Sequence, residues 1–492
     1  MTLIPIKLPA GFHANGTELE SAGRWRDGNL VRWDGGSIRP MRGSRLRKLT
    51  SLTAPRGALT WQDNSETRWI AAGDADQLVV VTSGGVEYDI SPTDLVAGIT
   101  DAAINTGFGG SFYGSGTYGG PRVDAGNYSE ATTWSMDTWG QYLIACSTAD
   151  GRLLEWQLNT ASDAAPITNA PINCSGVFST EERFVFALGA DGDPRTIAWC
   201  DQEDNTDWTP SSINQAGSQI LQTSGQIMCG LRSQGQSIIL TDVDAFRCTY
   251  VGPPFVHSFE RVGTACGVIS RKAASTTDGG VFWMGQQGFY QFNGSSVSTI
   301  PCDVLDRVFT DINQAQVSKV WSMSHGQHNE VWWFYPSAAS LEVDSYVAYD
   351  YATGIWLVGK LPRTCGIDRG VFKYPLMFDD TGDLIDHEVG FSRYNTPVDP
   401  FVESAPVQIG GDRIMHLTSM IPDERNQGDV TVTITSKLYS NGSEQTFGPY
   451  TMANPVDLRV SGRDLKFRIN ASVTDDWRVG VMRVDGVEGG RR

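Results

Sequence analysis

The chain has little charge and no long hydrophobic run. Asp, Glu, Lys and Arg make up only 19% of its 492 residues, which argues against a helical bundle and against a disordered chain. No stretch of 18 apolar residues occurs, so no membrane-spanning segment is expected. The opening MTLIPIKLPAGF lacks the basic start and the apolar core of a secretory signal. Eight cysteines are present without a C-x-x-C pair or a zinc-finger spacing. Cys146, Cys200, Cys229 and Cys248 lie in or beside apolar segments, where a thiol packs as a small hydrophobe. Reduced structural thiols are one reading, and one or more disulfides the other. The G-x-S-x-G elbow, the phosphate-binding G-x-x-x-x-G-K-[ST] loop, H-E-x-x-H and a helix-opening G-x-G-x-x-G are all missing. The expectation is therefore a chain with no catalytic residue, no cofactor and no metal, and not an enzyme.

What is abundant is glycine (54) and aromatic residues (15 Trp, 15 Tyr, 20 Phe), the materials of short strands and tight corners. They recur in one unit, strand-turn-strand with an Asp/Gly-rich corner. The unit appears as VRWDGGSIRP around Gly35, QLVVVTSGGVEYDIS around Gly84 and YLIACSTADGRLLEWQ around Asp150. It returns around Gly192, Asp244, Gln287, Ala339 and Gly382. Corners spaced by about 40 to 55 residues match four-stranded propeller blades, and the one longer interval, Gly84 to Asp150, contains a glycine-rich insertion. Helical period is scarce, with ISPTDLVAGITDAAI and PCDVLDRVFTDINQAQVSKVW as the best candidates. The expected fold is all-β: an extended arm over 1–23, a β-propeller of six to eight blades over 24–400, and a β-sandwich over 407–492. Prolines 397, 400 and 406 mark the seam. Beyond it Val430, Val432 and Ile434 alternate with threonines, and Leu465, Phe467 and Ile469 with polar residues. That is the pattern of strands buried on one face.

Two segments stand out as candidate contact sites. Residues 24–48 hold eight basic and two acidic side chains, a net +6 in a chain of net charge −18. Arg24, Arg26 and Arg32 lead that run. It reads as a solvated strand face, as a contact for an acidic protein, or as a phosphate contact. The insertion over 105–128 alternates glycines with Phe108, Phe112, Tyr113 and Tyr118. Such a segment is too flexible to bury a core of its own. It is either a loose surface loop or one whose rings dock on a neighbour.

Weaker candidates read as plain structure. His325 and His328 have a spacing that could serve a metal, but no third ligand is evident, so a solvated corner is expected. Asp201, Glu203, Asp204 and Asp207 lack the spacing of a calcium loop and read as a corner in which Asp204 or Asn205 caps a turn. STADGRLLEW, residues 147–156, approaches the sialidase box with its Asp and Gly one place off.

GRWRDGNLVRWDGGSIRPMRGSRL resembles the opening blade of tail nozzle proteins of tailed phages. ATTWSMDTWGQYLIACSTADGRLLEWQ, ERFVFALGADGDPRTIAWCDQEDNTDWTP and FWMGQQGFYQFNG look like segments of phage and prophage virion proteins. The order of propeller then small sandwich is similar to the packaged-DNA stabilisation hub of short-tailed phages, the podoviruses. The resemblance implies a homo-hexamer below the portal and head-to-tail adaptor, in the tail of a virion assembled in the host cytoplasm. It implies tail tip, needle or fibre proteins as further partners, and transient contact with packaged double-stranded DNA on its way out. A glycan- or receptor-binding propeller of a phage tail is the alternative. The acidic balance suits a conduit that does not retain phosphates.

Overall fold

A computed structural model of the chain describes residues 3–104, 128–396, 399–411, 413–439, 441–452 and 454–490. Seven antiparallel four-stranded sheets stand side by side as blades of a β-propeller. Blade 1 opens with Gly57–Gln62, blade 2 with Trp134–Trp139, blade 3 with Gly176–Ser179 and blade 4 with Ile227–Ser233. Blades 5, 6 and 7 open with Ala274–Thr277, Trp321–His325 and Cys365–Ile367. These first strands neighbour one another in ring order, and blade 7 returns to blade 1.

The middle strands of each blade are covered on both faces by adjacent blades, so they read as unbroken apolar runs rather than alternations. Ile70, Ala71, Val79 and Val80 of blade 1 are examples, all wholly buried. The expected helix over ISPTDLVAGITDAAI does not form, whereas Leu305–Asp311 is helical and Gln314–Lys319 is a 3-10 turn. All eight cysteines are free thiols.

Blade 7 takes its outer strand from the other end of the chain. Ser44–Lys48 pairs with Leu384–His387, setting Ser44 opposite His387 and Lys48 opposite Leu384. The propeller therefore runs from 44 to 387, narrower than the expected 24–400. Trp25–Asn29 is not a blade strand, for it pairs with Phe401–Ser404 in the sandwich. The unit around Gly35 is a separate two-stranded hairpin, Val31–Asp34 with Ser37–Pro40. The first residues also join the sandwich, as Ile4–Ile6 pairs with Met482–Glu488.

The sandwich comprises a four-stranded and a five-stranded sheet. Val430, Val432, Ile434, Leu465, Phe467 and Ile469 fill the space between, all fully buried. Its core is continuous with that of blades 4 to 6. Polar bonds tie the two units: the Phe12 amide donates to the Trp356 carbonyl at 3.0 Å, the Leu30 amide to the Tyr346 hydroxyl at 3.0 Å, and the Lys360 amide to Asn29 Oδ1 at 2.7 Å.

Between blades 3 and 4 the ring of His257 lies among Phe184, Phe186, Trp199 and Tyr250, at centroid distances of 4.7, 4.9, 5.1 and 5.7 Å. Neither ring nitrogen has a hydrogen-bond partner. Burial pushes its pKa down to about 4. The unfolded chain thus takes up a proton near pH 6.5 that the fold refuses, and stability falls as pH drops from about 6.5 toward 4. At pH 5 this one residue should cost about 2 kcal/mol. His257→Phe should remove that part of the acid sensitivity. Urea midpoints of both proteins at neutral pH and at about pH 5 check it, and an unchanged pH response in the variant would refute it.

Candidate functional site

Much of the basic run is spent on contacts within the molecule, and Arg32 is its one buried member. Arg32 is 6% exposed, and its guanidinium forks onto Glu330, with Nε to Oε1 at 3.1 Å and Nη2 to Oε2 at 2.9 Å. Its Nη1 donates to Glu388 Oε1 at 2.9 Å. Trp332 Nε1 completes the shell of Glu330 Oε2 at 2.8 Å. Burial alone would lower the pKa of Arg32, but Glu330 and Glu388 hold it above its ordinary value. Burial would raise that of Glu388, but Arg32 outweighs it and keeps the carboxylate well below the usual range.

Arg45 and Arg47 both bind Asp386, at 2.8 and 2.9 Å, across the seam where the outer strand closes blade 7. Arg39 reaches Asp34 at 2.7 Å and Asp476 of the sandwich at 3.5 Å. Arg26 donates to the Thr17 and Gly16 carbonyls and the Ser21 hydroxyl, fastening the N-terminal arm. Arg24 is half-buried in front of Trp25. As an assembly contact Arg32 is thus a correction: its charge is neutralised by residues about 300 positions away. Phe108, Phe112, Tyr113 and Tyr118 lie outside the described residues.

The root of the insertion is described, and it sits at one axial end of the propeller. Ala103–Ile104 pairs with Tyr128–Ser129, so the segment leaves and returns through a two-stranded stem. The chain approaching this stem comes from blade 1 and leaves for blade 2, yet it is held by residues from the far side of the ring. Gln316, between blades 5 and 6, brackets Ala102 with bonds of 2.9 Å to its amide and its carbonyl. Ser318 accepts from the Ala131 amide at 3.2 Å. Arg271, at the start of blade 5, meets Glu130 at 3.4 Å. The stem therefore passes over the end of the propeller axis.

A buried charge network fixes this crossing. Arg56, at the start of blade 1, binds Glu342 through two bonds of 2.7 and 2.5 Å. Lys319 Nζ, fully buried, contacts Asp101 at 2.5 Å, the Leu341 carbonyl at 2.7 Å and Glu342 at 3.2 Å. Burial would raise the pKa of Glu342, but the Arg56 bonds and the Arg56 and Lys319 charges bring it below its ordinary value. Beneath the stem the axis holds a cavity of about 840 Å³. Arg232, Arg271, Lys272 and Arg369 line it together with Asp137, Glu181 and Asp368. Arg232 pairs with Asp137. Burial lowers the pKa of Lys272. The lining is cationic in a chain of net charge −18.

The remaining candidates fall as follows. Asp204 caps its turn, accepting from the Thr206 amide at 2.9 Å and hydroxyl at 2.6 Å. His325 is not in a solvated corner: it is 2% exposed, at the end of the first strand of blade 6. Sequence reasoning missed Glu330, Glu342, Glu388 and Lys319, for which no local signal exists, since each acquires its role from partners brought in by ring closure.

No family model matches the chain, and no curated protein matches it significantly. Solved structures do. Virginiamycin B lyase from Staphylococcus aureus is 9% identical, with a TM-score of 0.42, covering 70% of this chain and 98% of the lyase. A fungal alcohol oxidase of the AA5 family in complex with copper is 11% identical, with a TM-score of 0.40, over 90% of this chain and 93% of the oxidase. An exo-β-1,3-galactanase from Phanerochaete chrysosporium is 10% identical, with a TM-score of 0.32, over 91% of this chain and all of the galactanase. These are likenesses of fold. The expectation that the chain is not an enzyme finds no support here and is withdrawn: several of these similar structures are enzymes, and the likeness carries no activity over to this chain. No helix among the described residues is long and apolar enough to cross a membrane.

Arg32→Ala would strand two buried carboxylates and is expected to cost about 3–5 kcal/mol. Arg42→Ala, at an exposed position of the same run, should leave the denaturant midpoint unchanged. Chemical denaturation of the two variants checks the contrast.

Proposed function

We propose that this chain is a subunit of a ring-shaped tail nozzle, or hub, of a short-tailed phage, seated below the portal and its adaptor. In the assembled virion, six copies retain the packaged genome and later pass it outward. The observation that carries this reading is the insertion rooted over the axial end. The glycine- and aromatic-rich stretch between Ile104 and Tyr128 is inserted at a platform locked by Arg56, Lys319, Gln316 and Glu342. A rigid wall that carries one long insertion at its axial end suits a machine that must seal and then open without unfolding.

The cavity inside one propeller, about 840 Å³, is too small for a duplex, so the conduit belongs between copies. A net charge of −18 per copy lets DNA slide past without the retention that a row of unpaired arginines would impose. The paired state of Arg32, Arg39, Arg45 and Arg47 supports the same point, because each guanidinium is partly neutralised by a carboxylate of the same chain.

Particles assembled without this protein should package DNA and then lose it. Encapsidated DNA measured after nuclease treatment checks this. Particles that keep their genomes and fail only to adsorb to cells would instead make the chain a receptor-binding propeller. A second expectation concerns the loop alone: joining Ile104 to Tyr128 by a short Gly-Ser turn should leave the melting temperature unchanged while abolishing ring formation or attachment to DNA-filled heads. Rings of normal mass and attachment in that variant would exclude the loop from assembly.

A further inference from the structure

The turn joining the first two strands of blade 6 carries His325 and His328 to the seam with blade 7. Glu388 arrives there from the end of blade 7, directly after Leu384–His387. One ligand atom from each of the three lies within 4.8 Å of the others. His325 Nε2 stands 3.5 Å from Glu388 Oε1, and the two imidazoles have centroids 4.9 Å apart. The edge of a tetrahedral site with bonds of 2.0–2.1 Å is about 3.3 Å, so one edge is nearly in place and the other two need a side-chain rotation.

A second observation points to a ligand. Nδ1 of His325 and Nε2 of His328 are buried and have no hydrogen-bond partner, and Nε2 of His325 has only the long approach of Glu388. Buried polar atoms left without partners are costly, and a group that satisfies several together is favoured. Neutral imidazole nitrogens with free lone pairs are what a borderline metal ion takes. Beside them lies a cavity of about 20 Å³ lined by His325, His387, Glu388, Trp332 and Arg393. That volume holds roughly one water molecule and excludes an organic substrate.

We propose that His325, His328 and Glu388 form a structural site for a first-row divalent metal ion of the zinc type, with water as the fourth ligand. Two imidazoles and a single carboxylate favour zinc over calcium or magnesium, which need more oxygen ligands. Arg32 and Arg393 stand nearby as like charges and balance Glu330 and Glu388, so the ion is held by coordination rather than by a negative field. The metal staples blade 6 to blade 7, and through the Arg32–Glu388 pair it fastens the N-terminal hairpin to both.

The test uses the full chain, without a polyhistidine tag, stripped with a chelator and titrated with Zn²⁺ or Co²⁺. The expected result is one ion per chain, a rise in melting temperature that the chelator reverses, and visible bands of four- or five-coordinate Co²⁺. His328→Ala, at a half-buried position, should bind at least about 10-fold more weakly, since even outer-shell losses at metal sites cost 10–100-fold. His416→Ala, on the sandwich, should bind as the parent does. Equal Zn²⁺ affinity in the parent and in His328→Ala, or no Co²⁺ band and no thermal shift in the parent, would overturn the site. The Co²⁺ spectrum of the parent decides the matter even if a variant fails to fold.

Discussion

The ring closes through one strand that the chain supplies out of order. Without Ser44–Lys48, blade 7 would present the backbone of Leu384–His387 as an open edge. An unpaired edge is both unstable and adhesive. Everything near this closure serves it. Asp386, wholly enclosed, takes one arginine from each of two positions on the incoming strand. Arg47 also lies over the ring of Phe372 at 4.7 Å. Arg32, on the first strand of the hairpin that precedes the incoming strand, holds blades 6 and 7 at once.

The same logic runs through the rest of the molecule. Two clusters of buried charge lie where connections cross, and in each the partners come from distant segments. Arg56 and Lys319 share Glu342, and Arg32 is shared by Glu330 and Glu388. Such pairs contribute little against a well-packed apolar alternative, because desolvation offsets most of the attraction. Their use is specificity. A guanidinium placed between two carboxylates tolerates one arrangement of three segments and penalises others.

The propeller was legible because the second and third strands of a blade are its most apolar part. The corners at Asp150, Gly192, Asp244, Gln287, Ala339 and Gly382 are all the turn between those two strands, so their spacing is the blade period. Outer strands such as Gly217–Ile220 are mostly exposed and carry no such signal. The hairpin around Gly35 has the same local look yet belongs to no blade, since a turn sequence specifies a corner and not the sheet around it. The basic run was legible as charge and illegible as function, because Arg32 finds Glu330 only after 298 residues of ring have been laid down. His325 and His328 were visible as a pair, and Glu388 was not, for the same reason.

The placement of the first strands has a kinetic consequence. Ile4–Ile6, Trp25–Asn29 and Ser44–Lys48 leave the ribosome well before their partners Met482–Glu488, Phe401–Ser404 and Leu384–His387. Throughout the interval between partners the earlier strands have no sheet to join. Pairings of such separation are slow to form and leave strand edges open meanwhile. The arginines that end as internal clamps would be solvated throughout that interval, keeping the waiting strands soluble and apart. The charge that disappears into the finished fold thus has its second use before the fold exists.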